Sequence, residues 1–287
     1  MGRKLVIILG PTAVGKTDYS IHAALEAGSP VISCDSRQIF KEMSIGTAVP
    51  SKAQLASVRH YFIQTNSVTQ LYSAGQYETD ALSLIESLFA HGHETLVITG
   101  GSCFYIDAIC NGLDDVPQGD SSLRASLMAK LSSEGVESLW PDLKRLDPET
   151  FASIELSNGQ RVVRALEACI VSGKPFSSFK KGRKARRDFA IEKIGLTRPR
   201  EELYSRINKR VDIMMEEGLL EEAKSLLPYR EYTAMQTVGY RELFSYFDGQ
   251  CSLDEAVSLI KLNTRHYAKR QMTWWRRDPS ILWKTIL

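Results

Sequence analysis

Cysteine is scarce in this sequence and cannot be fully paired: there are five, at 34, 103, 110, 169 and 251, with no Cys-x-x-Cys among them. That count speaks against a secreted disulfide framework and against the usual zinc spacings, and leaves free thiols in a reducing compartment as the expectation. An excess of one charge is lacking too. Lysine plus arginine total 36 against 34 for aspartate plus glutamate, a net +2, so any nucleic-acid partner must be argued from where the charge sits. No apolar run approaches the ~20 residues that span a bilayer. Arg3-Lys4 before Leu5-Val6-Ile7-Ile8-Leu9 imitates a signal peptide, but the run is too short and no small-residue cleavage site follows. Met1-Gly2 does not read as a myristoylation site, because Val6 stands where Ser or Thr is needed. A cytoplasmic protein with no membrane association is the expectation. Internal repeats are absent, and the one low-complexity tract is a basic octet discussed below.

What is present is a globular composition, 43% hydrophobic and 24% charged over 287 residues, long enough for one large domain or two ordinary ones. Residues 4–9 form a short, branched, apolar run that predicts a buried strand. A loop from Gly10 to Gly15 follows, then an amphipathic helix to about Ala27 that Gly28-Ser29-Pro30 would stop. Val31 to Cys34 predicts a second strand ending at Asp35. Residues 77–90 have helical spacing with Leu82, Ile85, Leu88 and Phe89 on one face, and Thr95 to Ile98 predicts a further strand closed by Gly100-Gly101. Strand, helix, strand, helix, strand with short connections implies a parallel sheet covered on both faces.

The character changes near Asn111. From about Gln118 to Ser178 there is only helical periodicity, interrupted by Pro141, Pro148 and Pro175. Residues 180–187, Lys-Lys-Gly-Arg-Lys-Ala-Arg-Arg, then carry six positive charges in eight residues. Ile191 to Leu196 returns to an apolar strand pattern. Helices are expected at roughly 200–227 and 252–277, and a last strand at Ile281-Leu282-Trp283. The expected architecture is α/β: a parallel-sheet core of residues 1–115 plus 190–287, with 116–189 as a helical insertion domain.

Gly10-Pro11-Thr12-Ala13-Val14-Gly15-Lys16-Thr17 fits GxxxxGK[ST] and lies between a predicted strand and a predicted helix, where a phosphate loop belongs. Its glycines let backbone amides converge on a phosphate, the helix start adds a positive dipole end, and Lys16 adds a full charge. Thr17 offers a hydroxyl to Mg²⁺. The core is therefore expected to be P-loop NTPase-like, of the kinase-like kind. No NKxD base-reading motif is present, which disfavours a GTPase. The strand at 95–98 ends Thr99-Gly100-Gly101-Ser102 with no carboxylate; the acid stands instead at Asp35-Ser36-Arg37-Gln38. Asp35 faces the crevice at the carboxyl edge of the sheet, where α/β proteins bind ligands. There it could hold Mg²⁺ through water or act as a base toward an acceptor, or merely cap the following turn. On these residues alone a small-molecule or nucleotide kinase leads, and an RNA-binding protein with a P-loop switch is a further reading.

Several strings together resemble the tRNA dimethylallyltransferase (isopentenyltransferase) family. They are the P-loop at 10–17, Asp35-Ser-Arg-Gln38 with Ile45-Gly-Thr47, and Gly100-Gly-Ser-Cys-Phe-Tyr105. Further on come Gln160-Arg-Val-Val-Arg-Ala-Leu-Glu167, Val238-Gly-Tyr-Arg241 and Ala268-Lys-Arg-Gln-Met-Thr-Trp274. Their order and spacing run over nearly the whole chain. Departures are Ser102 where the family usually has Thr, Phe40 and Val49 for Tyr and Lys, and Val58-Arg59-His60-Tyr61 for a His-His pair.

The resemblance implies transfer of a dimethylallyl group from its diphosphate to the exocyclic amine of the adenosine beside the anticodon, on the 3′ side, in tRNAs that read codons beginning with U. It also implies Mg²⁺ and a mobile helical insertion. Gly10 to Thr17 would hold the diphosphate, with Thr12 and Lys16 at the reacting end. Arg206 and Arg210 could close over it, or pair with Glu201 and Glu202 instead. Asp35 would be the general base, and Ser36 and Gln38 could hydrogen-bond the edge of the flipped adenine. By resemblance the tRNA contacts also include Arg37, Ser102, Arg124, the block Gln160, Arg161, Val162, Val163 and Arg164, and the loop Gln236, Thr237, Val238, Gly239, Tyr240 and Arg241. The basic octet, and Lys261, Arg265, Lys269, Arg270, Arg276 and Arg277 around Trp274 and Trp275, look like phosphate-tracking surface. The tryptophans themselves are expected more as core than as base platforms. Nothing in the pattern points away from a monomer.

Overall fold

Lys4–Leu9 forms β1, and its Leu5, Ile7, Ile8 and Leu9 are all fully buried. A strand covered on both faces belongs inside a parallel sheet whose crossovers are helices. That is its place in the computed structural model, which describes residues 2–117, 119–180 and 185–286. Next come α1 (Lys16–Ala27), β2 (Val31–Ser33), α2 (Lys52–Ser57), β3 (His60–Tyr61), α3 (Ala74–Ala90), β4 (Thr95–Gly100) and α4 (Cys103–Asn111). Helices alone follow: α5 (Ser121–Glu134), α6 (Trp140–Leu146), α7 (Pro148–Ser153) and α8 (Gly159–Ser172). The chain ends with β5 (Ala190–Thr197), α9 (Arg200–Glu216), α10 (Leu219–Ser225), α11 (Tyr240–Phe247), α12 (Leu253–Trp275) and β6 (Ile281–Thr285).

The six strands form one sheet in the order β3-β2-β4-β1-β5-β6, every pairing parallel. Side chains alternate across it. Leu5, Ile7 and Leu9 join Ile32, Leu96 and Ile98 against α3 and α4, while Ile8, Val31, Val97 and Leu196 meet α1 and α9 on the other face. A third cluster is built from α9 to α12 and the Ile39–Met43 segment, around Val211, Leu219, Tyr240 and Ile260.

By contacts the chain divides into two compact units, Met1–Cys110 with Arg186–Leu287, and Asn111–Ala185. The change of unit falls a few residues before each expected boundary. The second unit packs Leu139, Leu143, Val162, Val163 and Leu166 into a core of its own. Its prolines start elements: Pro141 and Pro148 occupy the first turns of α6 and α7, where a missing amide costs nothing. Val162 and Val163, expected among the tRNA contacts, are 0% and 2% exposed and belong to this core. Helical spacing is common to a core stripe and a recognition stripe, so the strings did not separate the two.

Other expectations need correction. The single helix over 200–227 is two, because Gly218 adopts φ 101° and separates α9 from α10. α2, β3, α4 and α11 were not foreseen; most are short, and α4 begins at Cys103, just past the double glycine expected to close the strand. Lys181 to Lys184 of the basic octet lie outside the described residues.

β4 runs on to Gly100, where it approaches β2 so closely that a Cβ would lie 2.0 Å from the carbonyl oxygen of Cys34. That neighbour is backbone and cannot turn aside. Gly100→Ala is therefore expected to lower stability by about 2–3 kcal/mol, read as a fall in the denaturant midpoint at constant slope.

Candidate active site

α1 begins without a side-chain cap, its N-cap being Gly15. An uncapped helix start leaves amides unsatisfied and a positive dipole end exposed. The loop before it is held by its carbonyls. Lys16 Nζ donates to the oxygens of Gly10 (2.8 Å) and Pro11 (2.9 Å), Arg206 Nε to Ala13 (2.9 Å) and Arg198 Nε to Val14 (2.9 Å). Ala13 sits at φ 65°, unusual for a residue with a side chain, and the Arg206 contact holds its carbonyl there. With cations on the carbonyl side, the amide side is left for an anion. Arg210 Nη1 reaches Thr12 Oγ1 at 3.4 Å. Arg206 and Arg210 thus turn to the loop, and Glu202 is bridged by Arg198 instead.

The carboxyl end of β2 supplies Asp35. Its Oδ1 accepts from the amides of Arg37 (2.9 Å) and Gln38 (3.4 Å), so one oxygen caps the turn, as an aspartate there often does. No hydrogen bond to Oδ2 occurs among the described residues. The turn is tied to β4 through Ser102, whose Oγ accepts from the Ser36 amide (2.8 Å) and donates to Ser36 Oγ (3.0 Å). Gln271, a fully buried polar residue on α12, links two loops: Oε1 accepts from the Thr12 amide (2.9 Å), and Nε2 donates to the Gly101 carbonyl (2.8 Å).

Thr12 and Asp35 line one cavity of about 360 Å³. Ser36, Arg37, Gly46–Ala48, Arg210, Gln236–Gly239, Arg241, Tyr267 and Arg270 also form its walls, with Val211, Met214, Leu219 and Ile260 as an apolar part. Four arginines face it against one acid, so the cavity suits an anionic ligand with an apolar group attached. Burial lowers the pKa of the Arg37 guanidinium, and Asp35, Tyr105 and Tyr267 pull the other way. Burial also raises the Tyr267 phenol, with Asp35 adding to it, so its hydroxyl keeps its proton. Among the described residues no group of three or more His, Cys, Asp or Glu could hold a metal ion. No helix there is long and apolar enough to cross a membrane.

Residues 38–278 match the model of the IPP transferase family. The chain belongs to that family. tRNA dimethylallyltransferase 1 of Phocaeicola vulgatus is 47% identical over 279 residues, covering 97% of this chain and 93% of its own. The tRNA dimethylallyltransferase of Christiangramia forsetii is 50% identical over 283 residues, covering 99% and 93%. Among solved structures, the full-length tRNA isopentenylpyrophosphate transferase of Bacillus halodurans superposes with a TM-score of 0.71 at 37% identity, over 99% of this chain and 90% of its own. A eukaryotic dimethylallyltransferase acting on tRNA superposes at 0.81 and 25% identity, over 99% and 74%.

Of the family motifs in this chain, the P-loop, the Asp35 turn, Ser102 and the 236–241 loop all come together in the first unit. Three of the expected contacts serve the framework rather than the cavity surface. The Gln38 side-chain amide donates to the carbonyls of Thr47 (3.1 Å) and Ala48 (2.9 Å). The Tyr240 ring is fully buried, with its hydroxyl on Glu222. Ser102 spends its hydroxyl on Ser36. In the second unit Arg124 and Arg164 both pair with the buried Glu167, at 2.7 and 3.1 Å, Arg161 lies 3.7 Å from Glu155, and Gln160 is exposed.

The basic tracts divide similarly. Arg187 is no surface residue: it donates to the carbonyls of Ala108 (2.7 Å) and Ile109 (2.8 Å) and pairs with Glu78 (2.9 Å). Lys261 pairs with Asp212 and Arg265 with Asn208, whereas Lys269, Arg270, Arg276 and Arg277 stay exposed. Trp275 is core at 2% exposure, and Trp274 donates from Nε1 to Asp107 (3.0 Å). Gln271, Tyr267 and Arg198 had no assigned role in the sequence. The available signal was a polar residue one helical turn before the apolar Trp275.

Burial under the loop lowers Lys16 to about 8, opposed by Asp35 and reinforced by Arg210. Free protein loses this proton as pH rises through that value, while a bound diphosphate favours the charged form. Donor-diphosphate affinity is therefore expected to weaken roughly fivefold between pH 8 and 9. Titration calorimetry would show the trend in the natural protein and its absence, with weaker binding throughout, in Lys16→Met.

Proposed function

We propose that this protein transfers a dimethylallyl group from dimethylallyl diphosphate to the exocyclic amine of the adenosine 3′ to the anticodon, in tRNAs that read codons beginning with U. The observation that carries the reading is one cavity on which a phosphate-loop residue, Thr12, and a carboxylate, Asp35, stand together among four arginines. A kinase needs the first two. The cationic wall, the apolar part and the family membership favour a prenyl diphosphate and an RNA.

The diphosphate lies on the open amides at the start of α1. Lys16 has three donors and spends two on carbonyls, so the third can meet a phosphate oxygen without a change of place. Arg210 and Thr12 stand beside it. As the adenine nitrogen forms its bond to the allylic carbon, the carbon–oxygen bond breaks and its electron pair leaves with the diphosphate. The amine proton passes to Asp35 Oδ2, the oxygen the turn leaves open. Fixed amides and cations stabilise charge where it develops, at no reorganisation cost during the step.

Thr17 offers a hard oxygen ligand of the kind Mg²⁺ prefers, too little for a dedicated protein cage, which suits an ion carried in on phosphate oxygens. When bound, that ion neutralises charge on the leaving diphosphate. The second unit supports tRNA binding through Arg124, Gln160, Arg161 and Arg164, and Ser36, Arg37, Gln236 to Gly239 and Arg241 support the flipped base and its neighbours. The protein works as a monomer in the cytoplasm.

Asp35→Asn keeps the shape and the capping oxygen but removes the base. Transfer is expected to fall about 10²- to 10⁴-fold with diphosphate binding nearly unchanged. Nucleoside mass spectrometry of unmodified tRNA incubated with donor and Mg²⁺ measures it. Near-normal turnover would remove Asp35 from the mechanism, and phosphate transfer from ATP without prenylated adenosine would put a kinase in its place.

A further inference from the structure

Glu222, on α10, takes no part in the chemistry above, yet its carboxylate accepts four hydrogen bonds. Oε2 receives the amides of Ser44 (2.9 Å) and Ile45 (2.8 Å); Oε1 receives the amide of Gly46 (2.9 Å) and the hydroxyl of Tyr240 (2.6 Å). Consecutive amides converging on one anion form a nest, an arrangement that elsewhere takes up phosphate. Here the anion is the protein's own.

Tyr240 completes the contact. Its buried ring lies so close to Gly46 that a Cβ there would come within 2.6 Å of Cζ and Oη. Burial and the neighbouring carboxylate both raise the phenol, so its hydroxyl stays a donor.

The two segments held in this way are both walls of the cavity: Gly46–Ala48, and Gln236–Gly239, just before Tyr240. The first is tied in turn to the Asp35 turn, through the bonds from Gln38 to Thr47 and Ala48. Glu222 and Tyr240 themselves are absent from the walls.

We infer that Glu222 is a positioning residue: with Tyr240 it clamps the two loops beside Asp35, and so sets the affinity for the RNA acceptor without touching it. This role rests on the prenyl-transfer reading above. The phosphate loop is held by Lys16, Arg198, Arg206 and Gln271, so diphosphate binding does not need the clamp.

Two variants test it. Glu222→Gln preserves size but turns an NH2 group toward backbone N–H donors, and Tyr240→Phe removes one bond of the four. Steady-state transfer to an anticodon stem-loop RNA is expected to show KM for the RNA raised about 10- to 100-fold in Glu222→Gln, and less in Tyr240→Phe, with kcat changed far less. Binding of dimethylallyl S-thiolodiphosphate without RNA stays as in the natural protein. Amide hydrogen exchange speeds up at Ser44 to Gly46 in Glu222→Gln and is unchanged in β1. An unmoved KM together with a lowered melting temperature would overturn the role and leave Glu222 a packing residue. Equal loss of thiolodiphosphate binding would overturn it as well. If the natural protein prenylates no RNA, the prenyl-transfer reading fails and this role with it; if it does and the variants match it, the role alone fails.

Discussion

The close approach of β2 and β4 at their carboxyl ends is the constraint on which the site depends. The Cys34 amide donates to Thr99 at 2.6 Å, the Ser102 amide reaches Cys34 at 3.3 Å, and Gly100 has no side chain to hold the strands apart. A parallel sheet brings several strand ends to one edge, and this contact fixes how near two of them come. Asp35 follows directly from β2, and Gly101 and Ser102 follow from β4. Gln271 then spans from Gly101 to Thr12, so the phosphate loop, the Asp35 turn and the end of β4 share one hydrogen-bonded frame.

Electrostatics do the complementary work. Backbone carbonyls of the phosphate loop are occupied by Lys16, Arg198 and Arg206, so the loop is oriented before any ligand arrives. Holding several cations beside unsatisfied amides is unfavourable in the free protein and becomes favourable when a diphosphate neutralises them. The lowered Lys16 expresses the same tension: its charge is costly until an anion shares the site.

Acids that gather several donors recur as fasteners. Glu167 sits at 0% exposure in the second unit and takes both Arg124 and Arg164, while the half-buried Glu222 takes three amides and a phenol in the first. In each case one carboxylate serves several donors at once, and loss of the acid would leave those donors stranded.

Much of the molecule was legible in the residue order. The strands of the core were visible as apolar runs because a strand buried on both faces must be apolar throughout, and the phosphate loop was visible because its chemistry demands glycines and a lysine in adjacent positions. The second unit showed itself by a change from strand runs to helical spacing. Short elements such as α2, β3 and α11 were not legible, since so few residues carry no readable period. Nor was the split at Gly218. Which polar residues face the cavity was decided only by packing. Tyr240 and Gln38 lie within strings that point to the site, yet the fold turns them inward to hold its walls, and Val162 and Val163 go to a core. Local sequence specifies what a segment can form and which groups it carries. The direction each group faces depends on partners far along the chain, such as Glu222 for Tyr240 or Gln271 for Thr12, and those meet only when the helices close over the edge of the sheet.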